Sequence, residues 1–257
     1  MSFPYKFGLK KSKIEEHDRI VSVSCECLNI DFPIKFSLKD KVKHVYDQLS
    51  LSSCSANAAV NALKMSDDKK LIKCDNISRL YLYFCTRWID NNYILPIHDQ
   101  GATLKSVFKA LEQYNYIDEI KYPYIVENVN NIPSQEIFEE ALKINKCPIV
   151  SYKQILQSKS SFKCALYKMQ RPILCGIMLY SNFYKLTKDD DVLELPSKDD
   201  ELLGGHAIVV CGYDEETKTF EILNSHGSDF ANDGYFRIKY EYLLNHDLAF
   251  EFYIINS

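Results

Sequence analysis

The sequence lacks any long apolar run. No stretch approaches the ~18 consecutive apolar residues that a membrane-spanning helix needs, and the first ten residues have no apolar core of the kind found in secretory signals. We therefore expect a protein that neither enters a membrane nor follows a secretory route. A net charge of -4 also argues against a basic surface for nucleic acid, so we expect no nucleic-acid partner.

The sequence also lacks the paired spacings of metal sites. It contains nine cysteines, but no Cys-x-x-Cys or His-x-x-x-His pair accompanies the one close pair, Cys25 and Cys27. The cysteine number is odd, and Cys85, Cys175 and Cys211 lie in apolar runs, which favours buried thiols over a disulfide framework. We expect no metal, no cofactor and an intracellular, reducing location, either cytoplasmic or, for a viral protein, inside the virion.

The 257 residues are 46% apolar and contain no internal repeat or low-complexity linker, which predicts one domain or two lobes that share a cleft. Apolar residues recur at helical spacing from Cys54 to about Ile144, with starts predicted at Thr103 and Ser134. Strand patterns follow from Cys147 onward, with one helical interlude near 161–170, so the fold class is predicted as α+β. The strands are expected at 172–180, 206–213, 219–224, 235–238 and 249–254, with shorter extended pieces at 20–23 and 32–36.

Cys54 stands at the predicted start of a helix, where Ser52 or Ser53 can serve as N-cap. A thiol at this position feels the positive end of the helix dipole, which lowers its pKa and favours the nucleophilic thiolate. An ordinary buried cysteine is the simpler interpretation of this residue alone. A catalytic role requires a histidine and a side-chain amide in suitable positions downstream.

Two later segments supply these groups. His206 follows two glycines at the mouth of an apolar strand, and Asn224 ends the next strand, 18 residues later. If the two strands form a hairpin, Asn224 lies beside His206 and fixes its tautomer, while the other ring nitrogen faces Cys54. Gln48 would offer its side-chain N–H to an oxyanion, together with the backbone N–H of Cys54. These are the four roles that acyl transfer needs.

At this point the chain resembles the papain-like cysteine peptidases, and in particular the compact forms of bacteria, archaea and large DNA viruses that lack the long inhibitory prodomain. The resemblance covers about 32–245 and keeps the order Cys, His, Asn, with His206 placed 152 residues after Cys54. It is carried by several short motifs in the correct order: Val45-Tyr46-Asp47-Gln48, Ser78-Arg79-Leu80-Tyr81-Leu82-Tyr83, Gly101-Ala102-Thr103-Leu104, Leu195-Pro196, Gly204-Gly205-His206-Ala207 and Gly234-Tyr235-Phe236.

The resemblance implies a two-lobe fold, with a helical left lobe, an antiparallel β-barrel-like right lobe and the active site in the cleft between them. Residues 1–31 would be an N-terminal extension and 32–257 the catalytic domain, with lobes at about 48–145 and 146–257. By the same resemblance Cys54 is the nucleophile, His206 the acid/base, Asn224 the orienting residue and Gln48 the oxyanion donor. Four residues are expected to bind a peptide or protein substrate: Gly101, which pairs through its backbone, Ala102, Gly205 and Ala207.

Three positions depart from the family pattern. Leu51 replaces an earlier cysteine, Ser55 replaces an aromatic residue after the nucleophile, and His226 stands where the family has a tryptophan that shields the Asn–His hydrogen bond. A histidine is smaller and can take a charge. We expect weaker shielding and reduced or more pH-sensitive activity, against the alternative of a neutral replacement in a tolerant loop.

The sequence leaves several alternatives open. The same four residues serve peptide hydrolysis, amide transfer and deamidation, and a catalytically silent binding module is a further reading. The acidic runs at 189–191 and 199–201 are interpreted as a solvated loop or as a rim that attracts basic substrates. Residues 1–30 either pack on the body of the protein or are trimmed. The oligomeric state is not predicted.

Overall fold

The computed structural model of this protein describes residues 5–13, 20–21, 30–66, 76–144 and 151–256. Within these ranges, most helices precede the main strands, as predicted. The helices are α1 (Cys54–Met65), α2 (Arg79–Asp90), α3 (Leu104–Tyr114), α4 (Gln135–Lys143), α5 (Lys159–Lys163) and α6 (Tyr240–Leu244), and a π-helical turn, Cys164–Lys168, continues α5. None of the described helices has both the length and the apolar character that a membrane crossing requires.

Side-chain caps decide where the helices of the first lobe begin. Ser78, Thr103 and Ser134 each accept a hydrogen bond from the backbone N–H three residues ahead, at the starts of α2, α3 and α4. The starts predicted at Thr103 and Ser134 are confirmed. The apolar faces of α2 and α3 then pack together, with Trp88 stacked on Tyr114.

The second lobe is built on a mostly antiparallel sheet. Its order is β1-β3-β9-β4-β6-β7-β8-β5, with β2 paired to β6, and only the pairs β1–β3 and β5–β8 are parallel. The α+β, two-lobe class is therefore confirmed. The strands are β1 (Ile20–Val21), β2 (Lys35–Ser37), β3 (Ser151–Ile155), β4 (Ile173–Tyr180), β5 (Val192–Leu193), β6 (Leu202–Asp214), β7 (Thr219–Leu223), β8 (Tyr235–Lys239) and β9 (Ala249–Asn256).

The strand β6 differs from the prediction at its start. It begins at Leu202, because Gly204 and Gly205 already pair with Leu179 and Met178 of β4. His206 therefore lies inside the strand and not at its mouth. Helix α1 packs against β6, and its small residues Ala56, Ala59 and Ala62 are almost fully buried, which permits close approach. This contact brings the start of α1 next to His206.

The cysteines divide into two kinds. Cys54, Cys85, Cys175 and Cys211 are buried free thiols, as the apolar runs around the last three predicted. Cys164 takes part in a disulfide whose partner lies outside the described residues. The predicted preference for buried thiols over a disulfide framework therefore does not hold at Cys164. The segment predicted as a strand at 20–23 is described only at its first two residues, which form β1.

Candidate active site

Cys54 is the first residue of α1 and is fully buried. Ser53 occupies the N-cap position but makes no side-chain cap, because its hydroxyl is engaged with Tyr124 and Asn57. Backbone N–H groups of Gly8, Ala207, Ser55 and Cys54 itself face the thiol and lower its pKa, yet burial outweighs them and the pKa of Cys54 is raised. The backbone N–H groups at the helix start lower the pKa of the thiol as predicted, but burial raises it by more. The predicted net lowering of the pKa is therefore wrong.

His206 and Asn224 are brought together as the predicted hairpin requires. Strands β6 and β7 are antiparallel, and Asn224 directly follows β7. The Nε2 atom of His206 and the Oδ1 atom of Asn224 are 2.8 Å apart, a hydrogen bond in which the ring nitrogen donates because a carbonyl oxygen can only accept. Among the described residues, Nδ1 of His206 has no hydrogen-bond partner. The ring is thus oriented with one nitrogen free to exchange a proton.

Gln48 is held in a fixed orientation by the loop that follows Asn224. Ser225 donates its hydroxyl to Oε1 of Gln48 at 2.7 Å, and the backbone N–H of Gln48 donates to the Ser225 carbonyl at 2.8 Å. With Oε1 occupied as an acceptor, Nε2 is directed to the carbonyls of Leu51, at 2.9 Å, and Lys6, at 3.1 Å. One N–H of Gln48 therefore points at a backbone carbonyl that lies in the cleft.

That carbonyl belongs to residues 5–13, which we call the cleft segment because they run along the groove between the two lobes. The backbone N–H of Leu9 donates to the Gly205 carbonyl at 2.9 Å on the sheet side. The next N–H, of Lys10, donates to the Ala102 carbonyl at 3.2 Å on the helical side. The segment is thus hydrogen-bonded to both walls of the cleft.

The glycines of the cleft walls admit this backbone because they have no side chain. A Cβ atom at Gly101 would lie 1.6 Å from the Gly8 carbonyl oxygen, and Gly101 also has a φ of +73°, which disfavours other residues. A Cβ atom at Gly205 would lie 2.3 Å from the Leu9 oxygen. The four residues predicted to bind substrate, Gly101, Ala102, Gly205 and Ala207, all lie where the cleft segment or Cys54 contacts the walls.

Two side chains of the cleft segment occupy opposite ends of the groove. Leu9 is buried against Phe250 and fills the space beside Gly176, where an added Cβ atom would come within 2.6 Å of Leu9. Tyr5 lies on the other side of Cys54, at a cavity of about 620 Å³ that Asp229 also lines. Its ring stacks on His226 with centroids 3.7 Å apart, and its hydroxyl donates to the His226 carbonyl at 3.1 Å.

His226 is itself buried, and its environment explains its charge state. Phe183 and Phe230 pack edge-on against the ring, and the His206 ring lies 5.1 Å away. Burial, followed by the proximity of His206, holds the pKa of His226 well below its usual range. Asn224 is only 1% exposed while the cleft segment is in place. The weaker shielding expected from a histidine in place of a tryptophan stays a prediction.

Burial beneath the cleft segment also changes His206. Desolvation lowers its pKa to about 4, although the hydrogen bond to Asn224 acts in the opposite direction. At neutral pH the closed form therefore holds a neutral imidazole beside a neutral thiol. Neither group is charged while the segment excludes water.

Neither the position of residues 5–13 in the cleft nor the role of Asp99, a carboxylate of the cleft wall that binds Lys6, follows from the sequence patterns. One residue in each acidic run has a structural partner: Asp191 forms an ion pair with Arg237, and Asp200 accepts hydrogen bonds from Ser181 and Ser197. Among the described residues, no three His, Cys, Asp or Glu side chains converge as metal ligands.

Comparison with known proteins gives a consistent result. Residues 32–249 match the model of the papain family cysteine proteases. The chain is 28% identical to an uncharacterised peptidase C1-like protein of Acanthamoeba polyphaga mimivirus, over 98% of this chain and 86% of the relative. It is 26% identical to a viral cathepsin of Adoxophyes honmai nucleopolyhedrovirus, over 90% of this chain and 67% of that protein.

Among solved structures, xylellain, a cysteine protease from Xylella fastidiosa, superposes with a TM-score of 0.85 at 26% identity. The superposition covers 99% of this chain and 97% of xylellain. Because this match includes nearly all of both chains, the similarity extends to the part of the chain that precedes residue 32.

Proposed function

The chain belongs to the papain family of cysteine proteases, and from that premise we propose that it hydrolyses peptide bonds through Cys54, His206 and Asn224, with Gln48 as oxyanion donor. The observation that carries this proposal is the buried His206–Asn224 hydrogen bond of 2.8 Å, which leaves the other ring nitrogen free. The thiol of Cys54 lies in the same site, where it accepts from the N–H of Ala207, the neighbour of His206.

The proposed reaction begins when the Cys54 thiol passes its proton to the free Nδ1 of His206. The thiolate sulfur then attacks the substrate carbonyl carbon, and the carbonyl π bond opens to an oxyanion. The N–H of Gln48 that now faces the Lys6 carbonyl stabilises this oxyanion. The imidazolium of His206 gives its proton to the leaving amine as the C–N bond breaks, which leaves a thioester. His206 then removes a proton from water, which attacks the thioester and releases the acid and the thiol.

We further propose that the cleft segment keeps the chain latent. It occupies both substrate walls, lies against Cys54 with the N–H of Gly8 and raises the pKa of the thiol by burial. A valine at Gly8 has no room, because its Cβ atom would lie 2.6 Å from Ser52 Cβ and 2.9 Å from Gly101 Cα. The full-length Gly8→Val variant should therefore release the segment without truncation.

The test uses this opened, full-length chain. In Gly8→Val, an epoxide that alkylates active-site cysteines should label Cys54 and no other cysteine. The unlabelled variant should hydrolyse peptides, and its activity should fall in proportion to the fraction of Cys54 that is labelled. Cys54→Ala in the same background is the matched control and should show neither. Lys13→Val, an exposed position of the segment, should leave the chain latent.

A silent binding module is the second candidate, and the occluded cleft is the observation that favours it. The two candidates give opposite results in one assay. A folded Gly8→Val variant whose Cys54 is neither labelled nor able to turn over any peptide would contradict the protease proposal and support the binding module.

A further inference from the structure

Asp99 is a carboxylate built into the wall of the cleft. Its Oδ1 atom accepts hydrogen bonds from the backbone N–H of Ser52, at 2.9 Å, and from the hydroxyl of Tyr83, at 2.8 Å. The side chain is only 9% exposed. The Tyr83 hydroxyl is in turn fixed by the backbone N–H of Gly101 at 3.0 Å. Two neutral donors thus orient Asp99 through Oδ1, and its second oxygen, Oδ2, faces the cleft.

The second oxygen is occupied by the ammonium group of Lys6, at 3.1 Å. Lys6 also contributes the carbonyl that accepts from Nε2 of Gln48, at 3.1 Å. A single residue of the cleft segment therefore uses both the proposed oxyanion donor and Asp99. In a bound substrate, the carbonyl that accepts from Gln48 would be the carbonyl of the cleaved bond. The residue that supplies this carbonyl would therefore occupy the position that Lys6 takes here.

From this coincidence we propose that Asp99 selects peptides with lysine or arginine as the residue that supplies the scissile carbonyl. The proposal rests on the protease function proposed above and specifies its substrates. The proposal assigns the recognition of basic substrates to Asp99, which offers a fixed, desolvated oxygen inside the groove. In the two acidic runs, Asp191 and Asp200 already have partners of their own.

The size of the expected preference follows from the exposure of the two partners. The Lys6 side chain is 56% exposed, and pairs between exposed charges contribute little. Asp99, however, is already desolvated and oriented, so a cation that binds it regains a charge-assisted hydrogen bond at low additional cost. We expect kcat/KM to favour lysine over an uncharged side chain of similar length by about 5- to 30-fold.

The experiment uses the full-length Gly8→Val protein and internally quenched peptides that differ at one position. Lysine, arginine and norleucine are compared as the residue before the cleaved bond, with leucine kept ahead of it, and the cleavage site is confirmed by mass spectrometry. Asp99→Asn retains an acceptor for Ser52 and Tyr83 but removes the charge. It should bring the lysine-to-norleucine ratio to about one while norleucine peptides are still cleaved.

Asp229→Asn is the matched control, since it removes one negative charge at the far end of the groove, and it should keep the ratio. If Asp99→Asn does not fold, salt provides a second measurement, because the ratio in Gly8→Val should fall as ionic strength rises. Equal cleavage of lysine and norleucine peptides by Gly8→Val, or a ratio that survives in Asp99→Asn, would overturn the role of Asp99 and leave the protease function intact. Absence of any cleavage would overturn both.

Discussion

Acid should open the cleft, and the effect can be isolated in a Cys54→Ser chain. A serine hydroxyl does not ionise in this range, so no thiolate–imidazolium pair forms and His206 is the proposed catalytic group that titrates. In the closed form its pKa is about 4. Once the cleft segment leaves, the solvated ring should return toward the ordinary value of about 6.5.

The sign and size of the effect follow from these two values. Above pH 6.5 the ring is neutral in both forms, so opening does not depend on pH through His206. As the pH falls from 6.5 to 4, the open form binds a proton that the closed form does not, which favours opening. At pH 4 the difference reaches about 3 kcal/mol, a factor of about 160 in the opening equilibrium. His226, whose pKa is also held down by burial, acts in the same direction.

Hydrogen exchange at two amides measures this equilibrium directly. The N–H groups of Leu9 and Lys10 are bonded to the Gly205 and Ala102 carbonyls only while the segment is in place. Their protection factors, corrected for the intrinsic pH dependence of exchange, should fall steeply between pH 6.5 and 4.5. The double variant Cys54→Ser/His206→Gln should lose a large part of this dependence. Protection that does not vary with pH, or that varies equally in the double variant, would refute the reasoning.

Two other predictions concern the opened Gly8→Val enzyme. Asn224→Ala removes the acceptor that orients His206 and should lower kcat by about 10- to 100-fold, while the epoxide still labels Cys54; an unchanged kcat would argue against an orienting role. His226→Trp removes a titratable ring that lies 5.1 Å from His206 and whose own pKa is held down by burial and then by the proximity of His206. The kcat/KM profile should then change on its acid side, and identical profiles would identify His226 as a neutral replacement.

The parts of the fold that the sequence predicts are those set by local patterns. Helix starts at Thr103 and Ser134 follow from a cap residue next to an amphipathic run. The pairing of His206 with Asn224 follows from two adjacent strands joined by a short connection, because a hairpin fixes its own register. In both cases the residues that determine the structure are close together in the chain.

Packing of the first thirty residues on the body was one of two predicted alternatives, and residues 5–13 follow it. Their course through the cleft was not predicted, because their contacts are of another kind. The cleft segment is held by main-chain hydrogen bonds to Ala102 and Gly205, about a hundred and two hundred residues away, and such bonds leave little trace in side-chain patterns. The direction of the Cys54 pKa shift was wrong for the same reason, since it depends on burial by this distant segment. Asp99, a single carboxylate in a loop, has no sequence signal of its own.

The link between residues 46–48 and 225–227 has a consequence for the kinetics of activation. Gln48 and Ser225 bond to each other twice, Asp47 pairs with His226, and the N–H of Gly227 donates to Tyr46 at 3.0 Å. None of these contacts involves the cleft segment, so Gln48 and Asn224, the proposed oxyanion donor and orienting residue, should keep their relative positions when it leaves. No rearrangement of these residues is then needed after the cleft segment leaves. Product should therefore accumulate without a lag once the cleft is open.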